Sequence, residues 1–207
     1  MPEPLILHEY SVSGNCYKIR LTAALLGIEL DRREYDILKG ETRTPHFLDR
    51  INANGRIPVL QIGERFLPES NAACCWLADG SPLIPSSRFD HADMLRWMFF
   101  EQYNHEPNIA TLRFWRSYVG ADRLTDEQRA AIPAKEAGGL AALSLMNRHL
   151  EKQDWFVGNS VTLADICLHA YTHVAGEGGF DLHAFPAVEA WLERIAALPR
   201  FTAMDGS

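Results

Sequence analysis

The stretch from Arg56 to Ser70, R-I-P-V-L-Q-I-G-E-R-F-L-P-E-S, constrains this chain more tightly than any other. Residues 57–62 and 65–67 read as two short strands turned at Gly63-Glu64, and a helix opens at Glu69-Ser70. Pro58 stands at the start of the first strand, where a residue without an N–H is tolerated at an edge and where an X-Pro bond can be cis. Ser70 falls in the first helical turn, where backbone N–H groups and the positive end of the helix dipole attract a carboxylate. The pattern is an anion site beside an exposed backbone edge, a combination suited to a peptide-like ligand.

The flanking sequence extends this pattern. Residues 5–10 predict a strand that runs into the polar turn 11–15, and residues 16–26 predict a helix closed by Gly27. Residues 29–35 read as a second strand and 45–51 as a short helix with proline near its first turn. The order is βαβαββα, the thioredoxin-like arrangement. A Pro- and Ser-rich passage beginning at Gly80 then marks a linker over 81–87, separating a domain 1–80 from a domain 88–207. No strand is evident beyond it. Residues 90–118 form one long helical pattern with Pro107 as the expected kink, and a second helical region runs from Thr125 or Pro133 to Leu150. Thr162-Leu163-Ala164-Asp165 has the form of a capping box, with Val161 and Ile166 placed as a hydrophobic staple. Residues 186–197 predict a last helix.

Composition narrows the function classes. With 47% hydrophobic and 23% charged residues and a net charge of -7, a nucleic-acid or anionic-membrane surface is not expected as the main partner. No apolar run reaches the roughly 18 residues of a spanning helix, and M-P-E-P-L-I-L-H carries no basic segment that would announce a signal peptide. Cys16, Cys74, Cys75 and Cys167 form neither a CxxC pair nor a zinc spacing, which fits a reducing, cytoplasmic setting.

The segment N-G-R-I-P-V-L followed by P-E-S closely resembles the glutathione-binding half of the glutathione transferases. The helical second half with its capping box is similar to the same family, so the resemblance covers nearly the whole chain. It implies an α/β thioredoxin-like domain followed by an all-α domain. It also implies that Pro58 is cis and turns the backbone of Ile57 toward the cysteine of glutathione, while Glu69 and Ser70 bind the γ-glutamyl end. Arg56 matches a basic residue that pairs with a carboxylate. Thr42 and Arg43 stand where theta-like members place a His-Lys pair over the glycine end; this chain departs from that pair, and Arg43 alone is carried as a contact.

The chemistry is expected in the turn before the first helix. Ser13 is a hydroxyl placed to donate a hydrogen bond to a bound thiolate, which lowers the thiol pKa without a general base. By the resemblance Ser13 occupies the place of the catalytic hydroxyl of serine-type members, and Asn15 that of a second donor. Ser11 remains a rival, since the loop register is open by one or two residues, and turn or cap hydrogen bonds would equally explain all three. Cys16 completes an S-x-x-C turn; it reads as a small core residue on the first helix, with a monothiol that forms mixed disulfides as its alternative role. Cys74 and Cys75, neighbours pointing to different helix faces, read as structural.

In the second domain Trp97, Phe99, Phe100, Tyr103, Phe114, Trp115 and Tyr118 are candidates for core, dimer contacts or an electrophile pocket. Glu101 is a candidate to reach a partner subunit's ligand, and Arg113 with Arg116 to favour an anionic co-substrate. His169, His173 and Glu177 are spaced four apart, but Gly-rich sequence follows at once and no metal site is expected. The expectation is a cytoplasmic, homodimeric detoxification enzyme that uses glutathione as co-substrate and adds its thiolate to a small electrophile. A glutathione-dependent disulfide or peroxide reductase, and a non-catalytic glutathione-binding or regulatory protein, are the alternatives.

Overall fold

The computed structural model describes residues 3–204; residues 1–2, part of the segment read for a signal peptide, and 205–207 lie outside the described residues. The chain divides into two compact units, one running to Ser81 and taking back the residues from Leu198 onward, the other Pro82–Ala197.

The first unit holds four strands, β1 Leu5–Glu9, β2 Asp31–Glu34, β3 Val59–Ile62 and β4 Arg65–Pro68, in the order β2-β1-β3-β4. β2 runs parallel to β1, while β3 and β4 are antiparallel to their neighbours. Leu7 of β1 stands opposite Leu60 of β3, and both are fully buried, so the central pair carries the apolar side chains. β2 is the polar edge, Asp-Arg-Arg-Glu, with every residue exposed. Helices α1 Gly14–Leu26 and α3 Ser70–Leu77 pack together. Around the short α2 Pro45–Arg50, a cluster of Phe47, Ile51 and Val59 packs against Tyr35, Ile57 and Phe66.

Several details differ from the expected pattern: β3 starts at Val59 instead of Ile57, and β2 covers only Asp31–Glu34 of the expected 29–35. α1 starts at Gly14, two residues before the apolar periodicity begins, because Ser13 already has the extended backbone of a cap residue. The passage between β2 and α2 takes two tight helical turns, Ile37–Lys39 and Glu41–Arg43. The first is nucleated by Asp36, whose carboxylate accepts the N–H groups of Leu38 and Lys39 at 2.9 and 3.2 Å. At its other end α1 stops at Gly27, whose left-handed φ of 70° frees its N–H for the carbonyl of Ala24 at 3.0 Å. The residues after Leu198, expected in the second domain, pack with the first unit, where the Tyr17 hydroxyl donates to the Thr202 carbonyl at 2.7 Å.

The second unit is helical: α4 Arg88–Phe100, α5 Glu106–Arg113, α6 Asp126–Leu150, α7 Leu163–Thr172 and α8 Pro186–Ala196. Around Pro107, where a kink was expected, the helical region is divided. The ladder widens into a π turn over Glu101–His105, and Pro107 sits in the first turn of α5, where its missing N–H leaves no bond unmade. α6 begins at the earlier expected start: Thr125 Oγ1 accepts the Gln128 N–H at 3.2 Å, and Gln128 Oε1 accepts the Thr125 N–H at 2.8 Å. The capping box of α7 is also present. Asp165 Oδ2 accepts the Thr162 N–H at 2.8 Å and its hydroxyl at 3.0 Å, while Oδ1 reaches the Phe156 N–H at 3.0 Å and Trp191 Nε1 at 3.1 Å. One carboxylate thus ties α7 to the loop before it and to α8, beside a ring cluster in which Trp97, Phe156 and Trp191 meet at centroid distances of 4.6 and 5.1 Å.

Several candidates in this unit prove to be structural. Glu101 is fully buried and accepts from Gln102 Nε2 at 2.8 Å, so it does not stand ready to reach another chain. Arg113 is buried and pairs with Glu177 at 2.8 Å, and it donates to the Tyr118 hydroxyl at 2.8 Å; Arg116 is held by Glu136 and the Gly178 carbonyl. These guanidiniums therefore do not present a site for an anionic co-substrate. Glu177 lies beyond the end of α7 and is engaged by Arg113. The His169 and His173 rings stack at 4.7 Å, and burial lowers both pKa values. Among the described residues no group of three or more His, Cys, Asp or Glu side chains is placed to hold a metal ion, and no helix is long and apolar enough to cross a membrane.

Candidate functional site

The turn between β1 and α1 separates the three polar candidates by what already engages them. Ser11 is committed: its N–H and its hydroxyl both donate to Glu34 Oε1, at 2.8 and 3.0 Å, and its carbonyl accepts from the Arg20 guanidinium. Beneath it the fully buried Glu9 pairs with Arg20 at 3.2 Å and with Arg32. Burial raises the Glu9 pKa while the two guanidiniums oppose the rise. This network anchors the turn and removes Ser11 as a free hydroxyl.

Ser13 is placed differently. Its backbone N–H bonds to the Tyr10 carbonyl at 2.8 Å and its carbonyl accepts the Tyr17 N–H at 2.9 Å, which fixes it at the cap of α1. Its side chain makes no capping bond to the helix. The half-buried hydroxyl stands at the positive end of α1 beside the sulfur of Cys16. Cys16 is fully buried and accepts the Tyr10 N–H at 3.4 Å; burial pushes its thiol pKa up to about 12, above what the Tyr10 and Ser13 hydrogen bonds restore. At neutral pH it is a thiol packed in the core, so it does not act as a thiolate nucleophile. Cys74 is buried likewise, and none of the four cysteines is in a disulfide.

Asn15 and Ser70 meet. Ser70, almost fully buried at the first position of α3, donates its hydroxyl to Asn15 Oδ1 at 3.2 Å across 55 positions of sequence. The N-terminal turns of α1 and α3 are therefore joined side chain to side chain. Behind them lies Lys18, whose Nζ donates to Ser70 Oγ at 3.5 Å and to Asn71 Oδ1 at 3.2 Å. Glu69 is exposed and takes a φ of 73°, a region that costs a non-glycine residue about 1–3 kcal/mol and that recurs where a backbone is shaped for a ligand.

The remaining candidates line the loop before β3. The Ile57–Pro58 bond is cis. Pro58 is buried and Ile57 half-buried against the α2 cluster, while Arg56 is exposed. The Arg56 carbonyl accepts from Asn52 Nδ2 at 2.9 Å, and Arg43 Nη1 donates to the Asn54 carbonyl at 3.0 Å. Arg43 is thus bonded to the loop that carries Arg56, whereas Thr42 is buried. Sequence reasoning missed Lys18 and the Glu9–Arg20–Arg32 network. The available signal was two basic residues, Lys18 and Arg20, in the second turn of an otherwise apolar helix, where a charge has no solvent to face.

The glutathione S-transferase N-terminal domain model matches residues 12–79 and the C-terminal domain model matches residues 107–199. A solved glutathione S-transferase from Pseudomonas fluorescens Pf-5 is 43% identical, with a TM-score of 0.92 over 97% of this chain and 98% of its own. A possible glutathione S-transferase from Rhodopseudomonas palustris is 45% identical, with a TM-score of 0.92 over 98% of this chain and 90% of its own. Elongation factor 1-gamma 3 of Oryza sativa subsp. japonica is 30% identical over 208 residues; these span 98% of this chain and 49% of that relative, about half its length.

Proposed function

Because the chain belongs to the glutathione S-transferase family, we propose that it binds glutathione on its first unit and activates the thiol as a thiolate for addition to a small electrophile. The observation that carries this reading is the Ser70–Asn15 hydrogen bond, which puts the N-terminal turns of two helices beside one another. The γ-glutamyl carboxylate lies at the start of α3, on the backbone N–H groups of Glu69 and Ser70, where the helix dipole favours negative charge. The Ile57 backbone pairs with the cysteinyl unit, and Arg43 and Arg56 face the glycine carboxylate. The sulfur then reaches the start of α1. There Ser13 donates its hydroxyl proton as a hydrogen bond and Asn15 adds a second donor, so the thiol proton leaves to solvent and the thiolate adds to the electrophilic carbon; the π bond that opens there passes its electron pair to the neighbouring atom, which takes up a proton from solvent.

The protein works in the cytoplasm as a homodimer in detoxification, with the exposed Phe89, Phe99 and Tyr103 as apolar surface for a second copy. A second reading, glutathione binding without turnover, draws its support from the match to a relative named as an elongation factor and not as a transferase, of which this chain spans about half.

Thiolate absorbance of bound glutathione, titrated against pH in wild type and Ser13→Ala, tests the proposal. One hydrogen bond to an ionised group is worth about 1.5–3 kcal/mol, so the substitution raises the bound thiol pKa by about 1–2. A lowered pKa that is the same in both proteins would refute Ser13 as the donor. A lowered pKa without conjugation of any electrophile would favour the binding reading.

A further inference from the structure

Lys18 lies in the second turn of α1 with no exposed surface, an uncommon place for a lysine. An ammonium has three donors and no acceptor, so its contact with Ser70 Oγ at 3.5 Å has one possible direction, as does its contact with Asn71 Oδ1 at 3.2 Å. The ammonium takes a lone pair of the Ser70 oxygen and repels the hydroxyl proton. That proton is therefore aimed away from Nζ, at Asn15 Oδ1 3.2 Å away. An amide whose oxygen faces Ser70 turns its NH2 group to the other side. The direction of each bond in the series follows from the charge at its buried end.

We propose that Lys18 is a positioning residue: acting through Ser70, it holds the Asn15 amide with its NH2 group turned toward the thiolate of bound glutathione. This rests on the glutathione reading given above and adds to it the origin of the Asn15 orientation. Without the cation the Ser70 hydroxyl can turn its proton elsewhere and accept from the Asn15 NH2 group instead, which presents the amide oxygen to the sulfur. An oxygen facing a thiolate repels it, so Lys18 acts on thiol ionisation without touching glutathione.

The experiment is a double-mutant cycle on the thiol pKa of bound glutathione, read by thiolate absorbance, with thermal unfolding recorded in parallel. Lys18→Met, similar in length but without a charge or a donor, is made in wild type and in Asn15→Ala; Lys18→Gln, which keeps a donor, is the second variant should the Met variant fail to fold. Loss of the Asn15 donor corresponds to a tenfold change in thiolate fraction, a pKa rise of about 1. The expected result is that rise for Lys18→Met in wild type, a smaller one for Lys18→Gln, and none for either in Asn15→Ala. A Lys18 effect of equal size in both backgrounds overturns the proposal, as does a loss of stability with no change in pKa. If Asn15→Ala leaves the pKa unchanged while Ser13→Ala raises it, the Lys18 role falls and glutathione activation stands. If wild type binds no glutathione, both fall.

Discussion

Replacing Asp165 by Asn and by Ala separates the capping bond read in the sequence from the tertiary bonds made by the same carboxylate. In the native protein each oxygen accepts two hydrogen bonds, Oδ2 from the Thr162 N–H and hydroxyl, and Oδ1 from the Phe156 N–H and Trp191 Nε1. An amide must turn one NH2 group toward one of these pairs. On the Oδ1 side it would face two N–H donors that cannot reverse. On the Oδ2 side the Thr162 hydroxyl can rotate to accept, so only the Thr162 N–H is orphaned. Asp165→Asn therefore costs one buried unsatisfied donor, about 1–3 kcal/mol, and Asp165→Ala orphans three N–H groups and costs about 4 kcal/mol or more. Thermal midpoints should fall by roughly 2–4 °C per kcal/mol for a chain of this size. Burial raises the Asp165 pKa from 3.8 to about 6 despite its four donors. A folded pKa above the unfolded one means that wild type gains stability as pH falls through 6 toward 3.8, a gain the amide lacks. The gap between wild type and D165N therefore widens between pH 8 and pH 5. Urea unfolding followed by tryptophan fluorescence measures all of this. The decisive check is Thr162→Val, which removes the hydroxyl that reverses: D165N should cost about 1 kcal/mol more in that background than in wild type. Equal losses for D165N and D165A, or an unchanged D165N cost in Thr162→Val, would refute the reasoning.

Ser11→Ala should lower stability by about 0.5–1.5 kcal/mol through its hydroxyl bond to Glu34, with no effect on the bound thiol pKa, the reverse of the pattern for Ser13→Ala; a raised thiol pKa in Ser11→Ala would contradict the assignment of the turn. His169 and His173 have pKa values lowered from 6.5 by burial, so the unfolded chain takes up their protons first and stability falls as pH drops below about 6.5. His169→Phe should flatten that acid slope in denaturant titrations between about pH 7 and pH 5, and parallel curves for the two proteins would count against it.

Much of the fold was legible because its signals are local. The strand-turn-strand at 57–67, the closure of α1 at Gly27 and the capping box at Thr162 depend on residues within a few positions of one another. Hydrogen bonding over such spans does not need the rest of the chain. The resemblance carried by N-G-R-I-P-V-L and P-E-S led to the family. Local pattern misplaced the start of α1 and missed the turns at Ile37–Lys39 and Glu41–Arg43, where cap and side-chain hydrogen bonds override apolar periodicity.

The sequence by itself determined which polar residues stand in the turn before α1 and at the start of α3, and its resemblance to the glutathione transferases made them the candidates for a glutathione site. It put Ser13 first and Asn15 second by resemblance but kept Ser11 as a rival, since each is a polar turn residue and spacing is blind to partners. Tertiary structure gives them different surroundings by bringing up groups from distant positions: Glu34 engages Ser11, Ser70 engages Asn15, and the Ser13 hydroxyl lies beside the Cys16 sulfur without capping α1. The same holds for Glu101, Arg113 and Arg116, which look like surface charges in the sequence and are engaged inside the second unit. A side chain's chemistry depends on how far it is removed from water and on what replaces that water. Both are settled only when segments far apart in the chain close around it.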